Sequence, residues 1–389
     1  ISTTFIIIIG VAILILVLVL SEPIQYPVIA ATWQNFDFAV DVGWNDIMNN
    51  DDSLSACIEV ATAAEEDFTI LNVGPGGKPD SKGIVTLDAL VMYGPSHDTG
   101  AVGALKNIVT AAKAALGVML YTQHTLLVGD EATEFARNLF NMNSQDPLFS
   151  NFNFTNISDV GISQQQYTDW KNDDCQPTFI RNFADSDVCD ASQPRPYSRN
   201  MYINPNWNDG PTINNTGSNT LKISNNNRKR TGINNHDTIG VISIDSKGYQ
   251  SITVSTNGLT HKIAGRVGDS PIPGSGGYVE QGVGAAVATG NGDVMMRFCP
   301  AKTAVLYMKL GRNVQTACDE AVKEMLDYYP NVGVALLCMD KDGKTAGSSS
   351  YNDDNFGYVK RTKNDDSTQT YNIKKIEYDP SGTEWNPAR

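Results

Sequence analysis

Histidine, cysteine and positive charge are all scarce in this sequence, and each scarcity removes a class of function. The four histidines, His97, His124, His236 and His261, show no paired metal spacing, and the six cysteines form no Cys-x-x-Cys. No zinc site is therefore expected. Lys and Arg number 29 against 43 Asp and Glu, a formal net charge of −14. A nucleic-acid partner is excluded on that balance, because such proteins need a basic stripe to displace counterions. The only basic cluster, Arg228-Lys229-Arg230, reads first as a solvated loop and alternatively as a processing site. Val73-Gly-Pro-Gly-Gly-Lys78 lacks the Gly-Lys-Ser/Thr ending of a phosphate loop, and Asp340-Lys-Asp-Gly343 lacks the later ligands of a calcium loop. Both read as turns.

What is present is enough apolar material for a large core: 389 residues, 41% of them hydrophobic. That length permits one large domain or two modest ones. Residues 5–20 form an uninterrupted apolar run, FIIIIGVAILILVLVL, ending at Ser21-Glu22-Pro23. The run is long for a signal-peptide core and short for a membrane span, and either reading sends the chain into the secretory route. Cleavage near Ser21 is the plain expectation. A retained arm would have to be buried in lipid or in a neighbouring subunit. Glycosylation sequons at Asn153, Asn156 and Asn214 fit lumenal or extracellular exposure, and in that setting the cysteines are disulfide candidates.

Along the chain, Val28 to Thr32 reads as a buried strand, and 36–48 and 54–65 as amphipathic helices joined by Asn49-Asn-Asp-Asp52. A strand is expected over 86–93, a helix over 102–116, and a helix capped by Asp130 and running to Leu139. From about 141 to 235 the composition shifts to Asn, Asp, Ser, Gln and Pro, which predicts mostly loop, with 206–235 a flexible tail. Strands follow at 239–244 and 251–255, hairpin-linked through Asp245-Ser-Lys-Gly248; then come helices at 301–310 and 314–328, and a strand at 332–339.

The segment His236-Asp237-Thr238-Ile239-Gly240 places a threonine at the head of an apolar strand. Were the chain cut before Thr238, the freed α-amine, with an unperturbed pKa of about 7.7–8.0, would be a base beside the hydroxyl. Taken alone, the pentapeptide reads as a polar loop entering a strand. It is followed by Ser255-Thr256-Asn257-Gly258, by Gly265-Arg266-Val267-Gly268-Asp269-Ser270 and by Ala288-Thr289-Gly290-Asn291-Gly292-Asp293. These small-residue segments can bring hydroxyls, a guanidinium and a carboxylate close to one small ligand.

With Val28-Ile-Ala-Ala-Thr-Trp33, Thr86-Leu-Asp-Ala-Leu90, Asp98-Thr-Gly-Ala-Val-Gly103 and His124-Thr-Leu-Leu-Val-Gly-Asp130 in order ahead of them, these motifs resemble the glycosylasparaginase (aspartylglucosaminidase) family of N-terminal nucleophile hydrolases. The likeness runs from about Pro27 to about Met339, except in the middle insert. It implies a four-layer αββα sandwich formed as one domain by residues 22–389, after an arm over 1–21. A first subunit would span 22–237, with an Asn-rich loop and linker over 141–237, and a second subunit would begin at Thr238 and run to 389.

The resemblance also implies roles. His236 and Asp237 would take part in self-cleavage before Thr238, the nucleophile. Thr256 would orient its hydroxyl, Thr289 and the Gly290 N–H would meet the developing oxyanion, Arg266 would hold the α-carboxylate and Asp269 the α-ammonium, and Trp33 would border the pocket. The substrate would be a small glycosyl-asparagine, N4-(β-N-acetylglucosaminyl)-L-asparagine, hydrolysed with no cofactor and no metal. Cys175 would pair with Cys189, and Cys318 with Cys338. The family's extra bridge after the first long helix is replaced here by Ala61-Thr-Ala-Ala-Glu-Glu66, which should loosen the loop that follows. A dimer of cleaved heterodimers is implied. A structural or assembly protein using the apolar arm to polymerise or to anchor in a membrane is the competing reading. Ser255-Thr-Asn-Gly258, where related asparaginases and isoaspartyl peptidases usually show Ser-Thr-Gly-Gly, favours the glycosylated substrate.

Overall fold

A computed structural model of the chain describes residues 26–143, 161–172, 175, 238–351, 356–373 and 375–376. Strands β1 (Val28–Thr32), β2 (Thr86–Tyr93), β3 (Asp98–Lys106), β4 (Leu126–Val128), β5 (Ile239–Ile244), β6 (Gln250–Thr256), β11 (Gly357–Thr362) and β12 (Gln369–Asn372) form an eight-stranded sheet in the order β12-β11-β1-β5-β6-β2-β3-β4. Strands β7 (Gly277–Glu280), β8 (Gly284–Gly290), β9 (Val334–Asp340) and β10 (Thr345–Ser349) form a second sheet in the order β10-β9-β8-β7.

Period-two alternation of apolar residues builds the layers. In β1, Val28 and Ala30 face the second sheet, while Ile29 and Ala31 face helices. In β9, Leu337 and Met339 enter the core between the sheets, while Val334, Leu336 and Cys338 turn outward. Helices α1 (Asp37–Asn50), α2 (Ser53–Glu66), α3 (Ala111–Tyr121) and α4 (Gly129–Met142) cover the first sheet, and α7 (Pro300–Lys309) and α8 (Val314–Tyr328) cover the second. The result is the αββα sandwich that the resemblance implies. Gly240 lets the sheets approach closely, since a Cβ there would fall 2.7 Å from the Val287 side chain.

Local chemistry ends several elements where the sequence suggests. Asp52 accepts from the Leu54 and Ser55 N–H groups to start α2, and Asn313 accepts from Thr316 N–H to start α8. Other expectations are corrected. The helix expected over 102–116 is instead β3, a turn, and α3, because Gly100 lets α3 pack onto the strand: a Cβ there would sit 2.1 Å from Ala115 O. Asp130 does not cap α4; it lies in the first turn and pairs with Lys106 at 2.8 Å. Most of 141–235, expected to be mostly loop, lies outside the described residues; the described part includes α5 (Gly161–Asn172), whose Trp170 stacks on His261 at 4.7 Å. Strands β4, β7, β8, β11 and β12 were not anticipated, whereas β10 is the second arm of the hairpin that the Asp340-Lys-Asp-Gly343 turn suggests. Residues 5–20, His236, Asp237, Cys189, Asn153, Asn156 and Asn214 lie outside the described residues. Among the described residues, no helix is long and apolar enough to cross a membrane. Cys318 pairs with Cys338, and Cys175 is disulfide-bonded.

Candidate active site

Thr238 lies at the head of β5, buried, and its hydroxyl donates to Thr256 Oγ1 at 3.0 Å. Thr256 ends β6, the hairpin partner of β5, so the pair follows from antiparallel register: Ile239 stands opposite Ser255. The Gly258 N–H also donates to Thr256 Oγ1, at 3.0 Å. The backbone of Thr238 is held by Thr32, which the sequence reading passed over. Thr32 Oγ1 donates to Thr238 O at 2.8 Å and accepts from Gly240 N–H at 2.8 Å.

The next residue, Trp33, joins the two sheets. Its indole N–H donates to Thr289 Oγ1, at the end of β8, at 3.1 Å. Thr238 and Thr289, on different sheets, are thus tied to consecutive residues of β1's end. Trp33 itself sits at φ 65, its N–H bonded to Gly357 O at 2.9 Å and its ring edge-on to Phe356 at 4.8 Å. Gly357 opens β11, so the C-terminal segment beyond the range of the resemblance shapes this wall. No sequence signal pointed there.

Arg266 and Asp269 lie on the loop between β6 and β7, but not as a pair. Arg266 forms a two-pronged ion pair with Asp293 on α6 (Gly292–Met295), Nε to Oδ1 and Nη2 to Oδ2, each 3.2 Å. Asp269 is buried, and its Oδ2 has no hydrogen-bond partner. Burial pushes its carboxyl up to about 7, against the downward pull of Arg266. Glycines let these groups converge. A Cβ on Gly258 would lie 2.7 Å from Arg266 Nη1, and one on Gly292 would lie 2.4 Å from Asp269 Oδ1. The guanidinium therefore reaches the turn that carries Thr256. Asp293 had no assigned role from sequence; its spacing after Thr289-Gly-Asn-Gly is the one available signal.

The loop after α2, expected to be loosened by the missing bridge, is tied to the site by hydrogen bonds. Asn257 N–H donates to Asn72 O at 2.9 Å, its side-chain amide donates to Gly74 O at 2.7 Å, and its carboxamide fills the place a Cβ on Gly77 would take. Behind Thr256, the Ser255 hydroxyl donates to Glu65 Oε1 at 2.5 Å, and the Ala112 N–H near the start of α3 donates to the same oxygen at 3.0 Å. Full burial pushes the Glu65 carboxyl up to about 8.

A buried threonine hydroxyl at the head of an inner strand of an αββα sandwich, with a guanidinium and a buried carboxylate on the loop that follows its hairpin, is the arrangement of an amidohydrolase of the N-terminal nucleophile type. The family described as asparaginase matches residues 3–369, and the chain belongs to it. Relatives divide over substrate. The chain is 34% identical to the N(4)-(beta-N-acetylglucosaminyl)-L-asparaginase of Mus musculus, covering 85% of this chain and 88% of that one. It is 35% identical to the Rattus norvegicus protein of the same name, covering 85% and 87%. It is also 35% identical to the probable isoaspartyl peptidase/L-asparaginase 3 of Arabidopsis thaliana, covering 83% and 84%.

Proposed function

We propose that the chain cleaves itself between Asp237 and Thr238, with His236 and Asp237 assisting, and then hydrolyses N4-(β-N-acetylglucosaminyl)-L-asparagine to aspartate and the glycosylamine. The carrying observation is the buried Thr238 hydroxyl 3.0 Å from Thr256 Oγ1. Cleavage supplies the base: the new α-amine takes the hydroxyl proton as Thr238 Oγ attacks the side-chain amide carbon, then passes it to the glycosylamine as the amide C–N bond breaks, leaving a β-aspartyl ester that water opens to aspartate and the free hydroxyl. Thr256 then reverses its hydrogen bond and donates to the attacking oxygen. Thr289 Oγ1, steadied by Trp33, and the Gly290 N–H receive the oxyanion, a contribution of about 2.7–4 kcal/mol per donor.

The amino-acid head group is read by charge. Arg266, with its Nε side held by Asp293, offers its remaining N–H groups to the α-carboxylate. Asp269 receives the α-ammonium, which replaces the partner its Oδ2 lacks. The sugar-bearing substrate is favoured over plain asparagine by Asn257, whose side chain ties the 72–77 loop to the nucleophile's hairpin. The chain passes through the secretory route to a lysosomal or extracellular site as a glycoprotein, and it self-associates as a dimer of cleaved heterodimers. Intact-mass analysis, with aspartate release assayed from glycosyl-asparagine, L-asparagine and a β-aspartyl dipeptide, tests the cleavage, the glycans and the substrate. A single uncut chain inert to glycosyl-asparagine would overturn it.

A further inference from the structure

Lys262 is a cation buried directly behind the expected nucleophile's partner. Its side chain is 1% exposed, and its ammonium donates to Asn257 O and, at 3.3 Å, to Thr86 O. Asn257 lies between Thr256 and Gly258, whose N–H holds Thr256 Oγ1 at 3.0 Å. That oxygen also receives the Thr238 hydroxyl, so a single peptide turn separates the ammonium from the reacting group. Gly258 adopts φ 75, and a Cβ there would lie 3.3 Å from Lys262 Nζ.

The charged groups around Lys262 come from three elements. Asp88 is on β2, opposite Thr256 in the β2/β6 register, Asp80 is on the loop before β2, and Arg266 follows Lys262 on the β6–β7 loop. Asp88 is fully buried; its Oδ1 accepts from Ala104 N–H at 2.8 Å, and its Oδ2 has no hydrogen-bond partner. Two backbone carbonyls need only neutral donors, and an ammonium in that place carries a desolvation cost that satisfying them does not explain.

We propose that Lys262 is a positioning residue for amide hydrolysis: its ammonium fixes the Thr256–Gly258 turn and, through Thr256, the hydroxyl of Thr238. This rests on Thr238 being the nucleophile, and it holds for whichever amide the enzyme takes. The positive charge of the ammonium holds the Asn257 and Thr86 carbonyl dipoles and is favoured by the buried Asp88 carboxylate, so turnover requires Lys262 protonated. Burial lowers Lys262 to about 8, opposed by Asp88 and reinforced by Arg266. The alkaline limb of kcat is therefore Lys262's.

The test is the pH dependence of kcat and KM from about pH 6 to about pH 10, on the purified full chain, with glycosyl-asparagine, L-asparagine and a β-aspartyl dipeptide. Rates are referred to the fraction cleaved before Thr238. Lys262→Met should lower kcat about 100-fold, leave KM within about threefold and abolish the alkaline limb. Asp88→Asn, which removes the anion that keeps Lys262 protonated, should move that limb to lower pH. If Lys262→Met fails to fold, the Asp88→Asn shift decides alone. An unmoved limb in Asp88→Asn, or kcat within about threefold of wild type in Lys262→Met, overturns the proposal. Wild type that hydrolyses one of the other amides but not glycosyl-asparagine overturns the substrate reading and leaves this test intact. Hydrolysis of none overturns both.

Discussion

The two sides of the site are built differently. On the side proposed for the nucleophile the groups in direct contact are neutral and stand at the ends of strands, with the Lys262 ammonium one turn behind: Thr238 heads β5, Thr256 ends β6, Thr32 ends β1, and hydroxyl and amide hydrogen bonds of 2.8–3.0 Å link them. The head-group side is charged and stands on loops, with Arg266, Asp269 and Asp293 brought together because Gly258, Gly268 and Gly292 have no Cβ to keep them apart. Strand register gives the Thr238 hydroxyl its place, and the electrostatic cost on this side falls on Lys262, buried behind it. On the proposed reading, recognition of a zwitterion would need buried charges of both signs, and the raised carboxyl of buried Asp269 reflects the cost of such burial.

The sharpest way to break this division is Thr238→Ala, which should remove both chain cleavage and amide hydrolysis, lowering kcat by about 10⁴-fold or more, read by intact mass and aspartate release. On the charged side the loss should fall on KM instead. Arg266→Lys keeps the charge but not the fork and should lower kcat/KM by roughly 10–100-fold, with Asp293→Asn about tenfold, both mainly through KM. A kcat effect of equal size would mean that the two sides are not separate.

pH sharpens the comparison further. Asp269 binds an ammonium only when ionised, so KM should rise as pH falls through about 7, and in Asp269→Asn it should be high and flat across that range. The smallest effect concerns Glu65, behind the neutral side. Its folded-state pKa, about 8, lies above the unfolded value, so the fold binds the proton more tightly. Glu65 therefore favours the fold at low pH, and that contribution is lost as pH rises from about 4.5 to about 8. Glu65→Gln should flatten the fall in Tm across this window, leaving the variant about 2–6 °C above wild type at its upper end.

The neutral side was the more legible from sequence, because the apolar Ile239 to Ile244 and the alternating Ser251 to Ser255 flank the turn Asp245-Ser-Lys-Gly248, the pattern of a hairpin. The Gly- and Ala-rich strands were not: β3 and β8 carry little β-branched signal, and their glycines and alanines are explained by what packs on them. Asp293 and Thr32 stood in motifs already quoted and Lys262 between two of them, but nothing in their spacing told what each would touch.

Residue order alone determined that a threonine would head a buried strand, that its hairpin partner would end one residue short of another threonine, and that a guanidinium and a carboxylate would follow at short range. These are local facts, set by alternation and turn chemistry. Tertiary structure decided the rest: that Arg266 pairs with Asp293 rather than Asp269, that Trp33 bridges the sheets to Thr289, and that an ammonium lies behind Thr256. Those contacts join segments distant along the chain, and their energies depend on the burial that packing creates.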